Sequence, residues 1–181
     1  LLERATTLFR RLRPRQCSIY DQHFWSHERY WKMMANAGSL PIFAGTPLKS
    51  VFWRLLGVRL GKRVFDDGCH IPERTLATIG DHCTLNVGSV VQSHSQEDGA
   101  FKSDYIAIGA GCTLGTGALV NYGVTMGDGA QLAPGAFLMK GEEVPPHTSW
   151  EGNPAMEVAD LTAVGAAQVS AGQSRLIGAK G

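Results

Sequence analysis

The chain has almost no charge imbalance, no long apolar run and no closely spaced cysteine pair, and each absence removes a class of protein. A net charge of +1 over 181 residues provides no global field to hold a nucleic acid, even though Arg10, Arg11, Arg13 and Arg15 form a local basic cluster. No apolar run approaches the roughly 20 residues that span a bilayer, and no cleavable signal opens the chain, so the chain as given is expected to be soluble. Cys17, Cys69, Cys83 and Cys112 contain no CxxC, which points to reduced thiols in a cytosolic setting and not to a disulfide framework. There is no P-loop, no GxSxG and no HExxH, and the glycines of "GAGCTLG" (109–115) lack the third glycine of the dinucleotide fingerprint. The first residue is Leu1 and the basic cluster comes early; together these suggest a piece of a longer protein, which leaves room for a membrane neighbour upstream.

What the chain has in excess is glycine, 22 residues or about 12% against a usual ~7%, without any collagen triplet. The excess falls into a period. From Ile108 an aliphatic residue recurs every six positions, at Leu114, Val120, Met126, Leu132 and Leu138, and the same register holds upstream at Ile79, Leu85 and Val91. A small or β-branched residue sits four places after seven of these, at Cys83, Ser89, Cys112, Ala118, Val124, Ala130 and Ala136. Leu60-Gly61 with Val64 is a looser early copy. A period of six cannot keep residues on one face of a 3.6-residue helix, and glycines this frequent would each cost ~1 kcal/mol there. The period predicts a parallel β-helix in which each hexad forms a short strand and a corner, and three hexads form one triangular coil. Cys83 and Cys112 then fall one above the other as buried packing residues, not as nucleophiles.

The repeat breaks once. Seventeen residues separate Val91 from Ile108 where six would continue the pattern, so eleven are inserted, expected as a loop from Glu97 to Ala107 with His94 on the coil at its root. Solenoid insertions map to loops, and loops carry function. Imidazole is the side chain whose ordinary ionisation lies nearest neutrality, which suits proton abstraction, and Glu97 or Asp98 stands close enough in sequence to orient it. Asn121 and Tyr122 occupy the same face as Gln92 and Ser93 one coil on and could line a pocket beneath His94.

Residues 1–57 form an N-terminal extension ahead of the coil at 58–157, and 158–181, poor in apolar bulk, are expected to be a flexible tail. Within the extension, Tyr20, Phe24, Trp25, Tyr30, Trp31 and Met34 mark a helix expected to pack on the coil, with a membrane surface as the alternative. His23 and His27 stand four apart on it and could share a metal, but no third ligand is near in sequence. "GTPLKSVFWRLLG" predicts a helix with Thr46 as N-cap, Pro47 in its first turn and Gly57 closing it, placed over the open end of the first coil.

The order His94, Asp98, Ile108-Gly109, "GVTMGD" (123–128), "VPP" (144–146) and "GNPA" (152–155) resembles the hexapeptide-repeat acyltransferases of the maltose and galactoside acetyltransferase type. The resemblance covers about residues 58–157. It implies left-handed winding, an exception to the right-handed crossover rule, with a histidine acting as general base in a groove between subunits of a trimer, here His94. Four further stretches, "YDQHFWSHERYWK", "GTPLKSVFWRLLGVRLGKRVFDDG", "QSHSQEDGAFKSD" and "FLMKGEEVPPHTSWEGNPA", resemble the C-terminal tandem domains of poly(ε-L-lysine) synthetase-like nonribosomal peptide synthetases. That narrower resemblance implies a cytoplasmic domain of a membrane-associated enzyme, joining amine acceptors to a phosphopantetheine thioester on a carrier protein or coenzyme A, with no bound cofactor or metal. It implies sibling domains or a homotrimer as partners. Gln92, Asp104, Asn121 and Tyr122 become candidates for the substrate pocket, Lys102 and Lys140 for the pantetheine phosphate, and Glu97 or Asp98 for the substrate ammonium. Acetyl transfer from coenzyme A and a non-catalytic carrier-docking scaffold are the alternatives. A zinc hydratase on the same coil would need three histidines, whereas the position expected to stack after His94 is Gly123, its neighbour is Asn121 and His82 lies on another face.

Overall fold

A computed structural model describes residues 8–35 and 41–158, with the side chains of 29–35 and 41 outside the description. The extension contributes a strand, β1 (Arg15–Ser18), a helix, α1 (Gln22–Ala35), and a second helix, α2 (Pro47–Leu56). The coil follows. Its first turn holds β2 (Arg59–Leu60) and β3 (Phe65–Asp66), and its second β4 (Ala77–Ile79), β5 (Thr84–Leu85) and β6 (Val90–Val91). After a hairpin of β7 (His94–Glu97) and β8 (Ala100–Ser103) come β9 (Ile106–Ile108), β10 (Thr113–Leu114) and β11 (Leu119–Val120). The next turn holds β12 (Thr125–Met126), β13 (Gln131–Leu132) and β14 (Phe137–Leu138), and the last β15 (Glu143–Val144) and β16 (Ser149–Glu151). β17 (Met156–Val158) folds back antiparallel on β16.

The strands stack in parallel into three faces: β2-β4-β9-β12-β15, β3-β5-β10-β13-β16 and β6-β11-β14. The sixfold register is kept in space, since Ile79 pairs with Ile108, Leu85 with Leu114, and Val91 with Val120. These aliphatic side chains are buried in one continuous column, each contributing about 1.5–3 kcal/mol of apolar burial. The small position closes each corner. The Cys83 thiol donates to the Gly109 carbonyl at 3.0 Å and that of Cys112 to Gly127 at 3.1 Å, so both cysteines are buried and bonded. Glycine is required where coils nearly touch: a Cβ on Gly127 would meet the Pro146 nitrogen at 2.5 Å.

The inserted segment is a hairpin, and its edges differ from those expected. Asp104 N donates to Ser93 O at 3.1 Å, and Gly123 N donates to Tyr105 O, so the chain leaves the coil after Ser93 and rejoins it at Tyr105. Eleven residues are inserted, as the count requires, but they are 94–104 and not 97–107. Ile106 takes the small position, which is why a period read from aliphatic residues alone misplaced the break by three residues. His94 is therefore the first residue of the excursion, and Gly123 stacks on Tyr105 and not on His94. Asp98 and Gly99, with φ of 51° and 70°, make the two-residue turn favoured by hairpins. On its other edge β8 pairs antiparallel with β1, giving a three-stranded sheet β1-β8-β7.

Helix α2 packs on β2 and β3 of the first coil. Gly57 closes it in the left-handed region, φ 106°, with its N–H on the Trp53 and Arg54 carbonyls. Thr46 precedes the first turn but its hydroxyl turns back to donate to Phe43 O at 2.7 Å, so it makes no side-chain cap. The reason α2 sits here is Asp66, a buried carboxylate at the position that stacks on Leu85. Lys49 meets it at 2.8 Å, Trp53 Nε1 donates to its second oxygen, and the backbone N–H groups of Gly68 and Cys69 complete the set. Among the described residues no helix is long and apolar enough to cross a membrane. Of the tail expected at 158–181, Val158 ends β17 and residues 159–181 lie outside the description.

Removing one partner of a buried ion pair leaves the other desolvated. Lys49→Met is therefore expected to cost about 3–5 kcal/mol in urea unfolding, and adding Asp66→Leu is expected to recover most of it.

Candidate functional site

The first and second coils both depart from regularity at one corner, between the β6 face and the β9 face. Nineteen residues separate Leu60 from Ile79 where three hexads need eighteen, and the surplus forms a bulge in the buried segment 71–77. That bulge turns Glu73 inward, with 0% exposure, directly under the root of the hairpin one coil above. Ser93 N donates to Glu73 Oε2 at 3.0 Å. His94 Nδ1 lies 2.7 Å from Glu73 Oε1, its side chain 12% exposed. The distance is that of a charge-assisted donor to an anion, although the N–H is not collinear with the contact.

A third side chain arrives from outside the coil. Helix α1 turns Phe24, His27 and Glu28 toward the hairpin, and His27 Nε2 lies 3.3 Å from the same Glu73 oxygen. Phe24 packs on Phe101 at 5.7 Å between ring centroids, His27 on Phe101 at 4.5 Å, and Gln96 Nε2 donates to Glu28 at 3.1 Å. The aromatic helix thus packs on the hairpin, while Trp25 and Tyr20 stay exposed; Tyr30, Trp31 and Met34 lie outside the described side chains. His23 is exposed, its backbone N–H taken by Asp21, and it does not share a site with His27. Burial pushes the Glu73 carboxyl up, but the contacts with His27 and then His94 outweigh it and hold Glu73 down at about 2.

The residues expected to orient His94 do something else. Glu97, 39% exposed, forms an ion pair with Lys140, which holds its carboxyl below the ordinary range. Asp98 is exposed in the hairpin turn. The geometry follows from strand dimensions: the three steps of ~3.3 Å from His94 to Glu97 span about two coil spacings of ~4.8 Å, which brings Glu97 to Lys140. Glu97 is thus at the far end of β7 from His94. Gln92 Nε2 donates to the His94 carbonyl at 3.1 Å, fixing the strand where it leaves the coil. Asn121 is buried beneath it, its Oδ1 accepting from Tyr122 N at 2.8 Å. Lys102 lies on β8 opposite Ser95, and the exposed Asp104 accepts from Tyr105 N at 2.7 Å. The structure therefore brings His94, Gln92, Asn121, Tyr122, Glu97 and Lys140 along one corner.

Among the described residues, His27, Glu73 and His94 form a group whose ligand-type atoms lie within 4.8 Å of one another. Two ligands of one tetrahedral zinc with bonds of ~2.0–2.1 Å stand roughly 3.3 Å apart. His27 to Glu73 matches that spacing, but His94 to Glu73 at 2.7 Å is closer, which favours direct imidazole–carboxylate contact.

No protein-family model matches the chain. Among solved structures it is similar to a galactoside acetyltransferase in complex with coenzyme A, with a TM-score of 0.60, 14% identity and coverage of 81% of this chain and 86% of that one. It is also similar to a hexapeptide-repeat acetyltransferase from Vibrio cholerae complexed with acetyl coenzyme A (0.57, 19%, 74% and 89%). A maltose O-acetyltransferase from Clostridium difficile follows (0.55, 15%, 81% and 92%). At these identities the likeness is one of fold. With its stacked hexads, the chain has the left-handed parallel β-helix fold of these hexapeptide-repeat acetyltransferases. In sequence it is similar to the δ-poly-L-ornithine synthetase of Acinetobacter baumannii, 32% identical over 152 residues, or 82% of this chain. The chain spans only 11% of that relative's length.

A carboxyl held ionised in the fold contributes stability that is present above its unfolded value, 4.5, and is lost as pH falls toward the folded value of about 2. Wild-type protein is expected to lose up to about 3 kcal/mol more than Glu73→Gln across that window, measured as urea stability against pH.

Proposed function

We propose that this domain is an acyltransferase that forms an amide between a pantetheine-thioester-linked amino acid and an amine acceptor such as lysine, ornithine or a short oligomer of either. The observation that carries the reading is the contact between His94 Nδ1 and the fully buried Glu73 at the one corner where the coil opens. A carboxylate at Nδ1 fixes the proton on that nitrogen and leaves Nε2 as the acceptor. Fold relatives solved with coenzyme A or acetyl coenzyme A and a polymer-forming sequence relative support a thioester donor and a diamino acid acceptor.

The acceptor amine attacks the thioester carbonyl carbon while His94 Nε2 takes the proton the nitrogen sheds. The tetrahedral oxyanion is held by a backbone N–H at the corner, a donor whose loss costs about 2.7–4 kcal/mol. The C–S bond breaks, the amide forms, and His94 returns the proton to the departing thiolate. Gln92, Asn121 and Tyr122 line the pocket floor. Glu97 and Asp98 at the hairpin tip face a cationic acceptor, Asp104 stands where the hairpin rejoins the coil, and Lys102 and Lys140 serve the pantetheine phosphate. The donor arm is carried by a carrier protein or coenzyme A, and membrane proximity belongs to the full-length protein. Sibling domains, or two further copies of this one, form the other wall of the groove.

Two measurements test this. Mass-resolved thioester turnover, with aminoacyl-pantetheine as donor and ornithine or lysine as acceptor, is expected to fall about 10²–10⁴-fold in His94→Ala and at least about tenfold in Glu73→Gln. Full turnover by folded His94→Ala would refute the base, binding of holo carrier without turnover would make the domain a scaffold, and turnover confined to acetyl coenzyme A would make it an acetyltransferase. Sedimentation of the isolated domain at high concentration is expected to show trimers, and monomer alone would count against self-association.

A further inference from the structure

We infer that His27, carried by α1 outside the coil, is a positioning residue of this site: it holds the Glu73 carboxylate ionised and in place so that His94 keeps its outer nitrogen free. The inference rests on the reading of His94 as base.

Glu73 has no exposure to water, so every charge-stabilising contact it has must come from protein. Oε2 accepts the Ser93 N–H at 3.0 Å, while Oε1 lies 2.7 Å from His94 Nδ1 and 3.3 Å from His27 Nε2, close charge contacts whose N–H groups are not aimed along them. The two rings stand 5.7 Å apart, edge to face, and share that oxygen. A carboxylate served by His94 alone would be poorly compensated, because the histidine must itself give up its charge to act as a base. His27 supplies a contact that does not change during turnover, and it is the leading favourable influence holding the carboxyl down against burial. Among the described residues, Glu28, bonded by Gln96, the Arg74 guanidinium 5.4 Å from the Trp53 ring, and His70, electrostatically linked to Glu73, are further charged or titratable groups nearby.

The framework around His27 has the form of a positioning device. β1 pairs along all four residues of β8, Arg11 donates to the Thr75 carbonyl at 3.0 Å and Leu12 N to the Thr75 hydroxyl at 2.9 Å. The arm that delivers His27 is thus bonded both to the hairpin bearing His94 and to the bulge bearing Glu73. Side-chain packing alone would have been served by Phe24, on the same face of α1.

The test compares pH profiles of thioester turnover for wild type, His27→Ala and His27→Gln, the last keeping an N–H near the position of Nε2. In wild type Glu73 stays ionised and adds nothing to the acid limb. In His27→Ala the carboxyl, still buried, takes a proton more readily, so the acid limb is expected to steepen and move up by about one pH unit. kcat is expected to fall about tenfold near neutrality, with KM for the thioester changed less than about threefold. His27→Gln is expected to restore the position of the limb. A His27→Ala profile that is only scaled down, or His27→Gln behaving like His27→Ala, would overturn the inference. Should His27→Ala fail to fold, His27→Phe fills the volume for the same comparison, and failure of both beside a folded His27→Gln would assign His27 a purely structural role. Stoichiometric zinc with activity lost on chelation would also overturn it. His94→Ala keeps the two readings apart, since its full activity would sink the base assignment, whereas an inert His27 would leave that assignment standing.

Discussion

A carboxylate deprived of water must be paired, bonded or protonated, and the corner that opens this coil is organised around that constraint at Glu73. The Ser93 amide, the His94 imidazole and the His27 imidazole converge on it from the coil, the hairpin and the N-terminal helix. The hairpin leaves the coil at a single point and the arm is joined to it by strand pairing, so the buried charge fixes the relation among three segments far apart in sequence.

The contrast with Asp66 shows how environment separates structure from chemistry. Both acids are buried in the first coil. Asp66 is closed off by Lys49, the Trp53 indole and two backbone amides, and its work is to seat α2 on the end of the solenoid. Glu73 is instead met by imidazoles, groups able to exchange protons near neutrality. One arrangement seats a helix; the other stands where the hairpin leaves the coil.

The coil was legible because a period of six leaves a regular trace in aliphatic and small residues from Ile79 to Leu138. The hairpin was legible as a count but not as a boundary, since Ile106 at a usually small position disguised the point of return. Glu73 was missed because sequence proximity favoured Glu97 and Asp98, whereas in a solenoid the nearest neighbour of a corner residue lies one coil away. The one surplus residue between Leu60 and Ile79 was its only trace. His27 was visible as half of a pair with His23, but the stripe that faces the protein is Phe24, His27 and Glu28, with spacings of three and four on one face of a helix. Its partner on a distant corner left no local mark.

The central claim is that Glu73 holds the proton of neutral His94 on Nδ1 and leaves Nε2 bare toward the opening. ¹⁵N-resolved NMR of the imidazole of His94, in the folded domain at about pH 9 where histidines are neutral, reads that directly. The expected result is a protonated Nδ1 and an unprotonated Nε2, with the preference weakened in Glu73→Gln. A proton resident on Nε2 in the wild-type domain would contradict it, because His94 would then have no acceptor to offer an incoming amine.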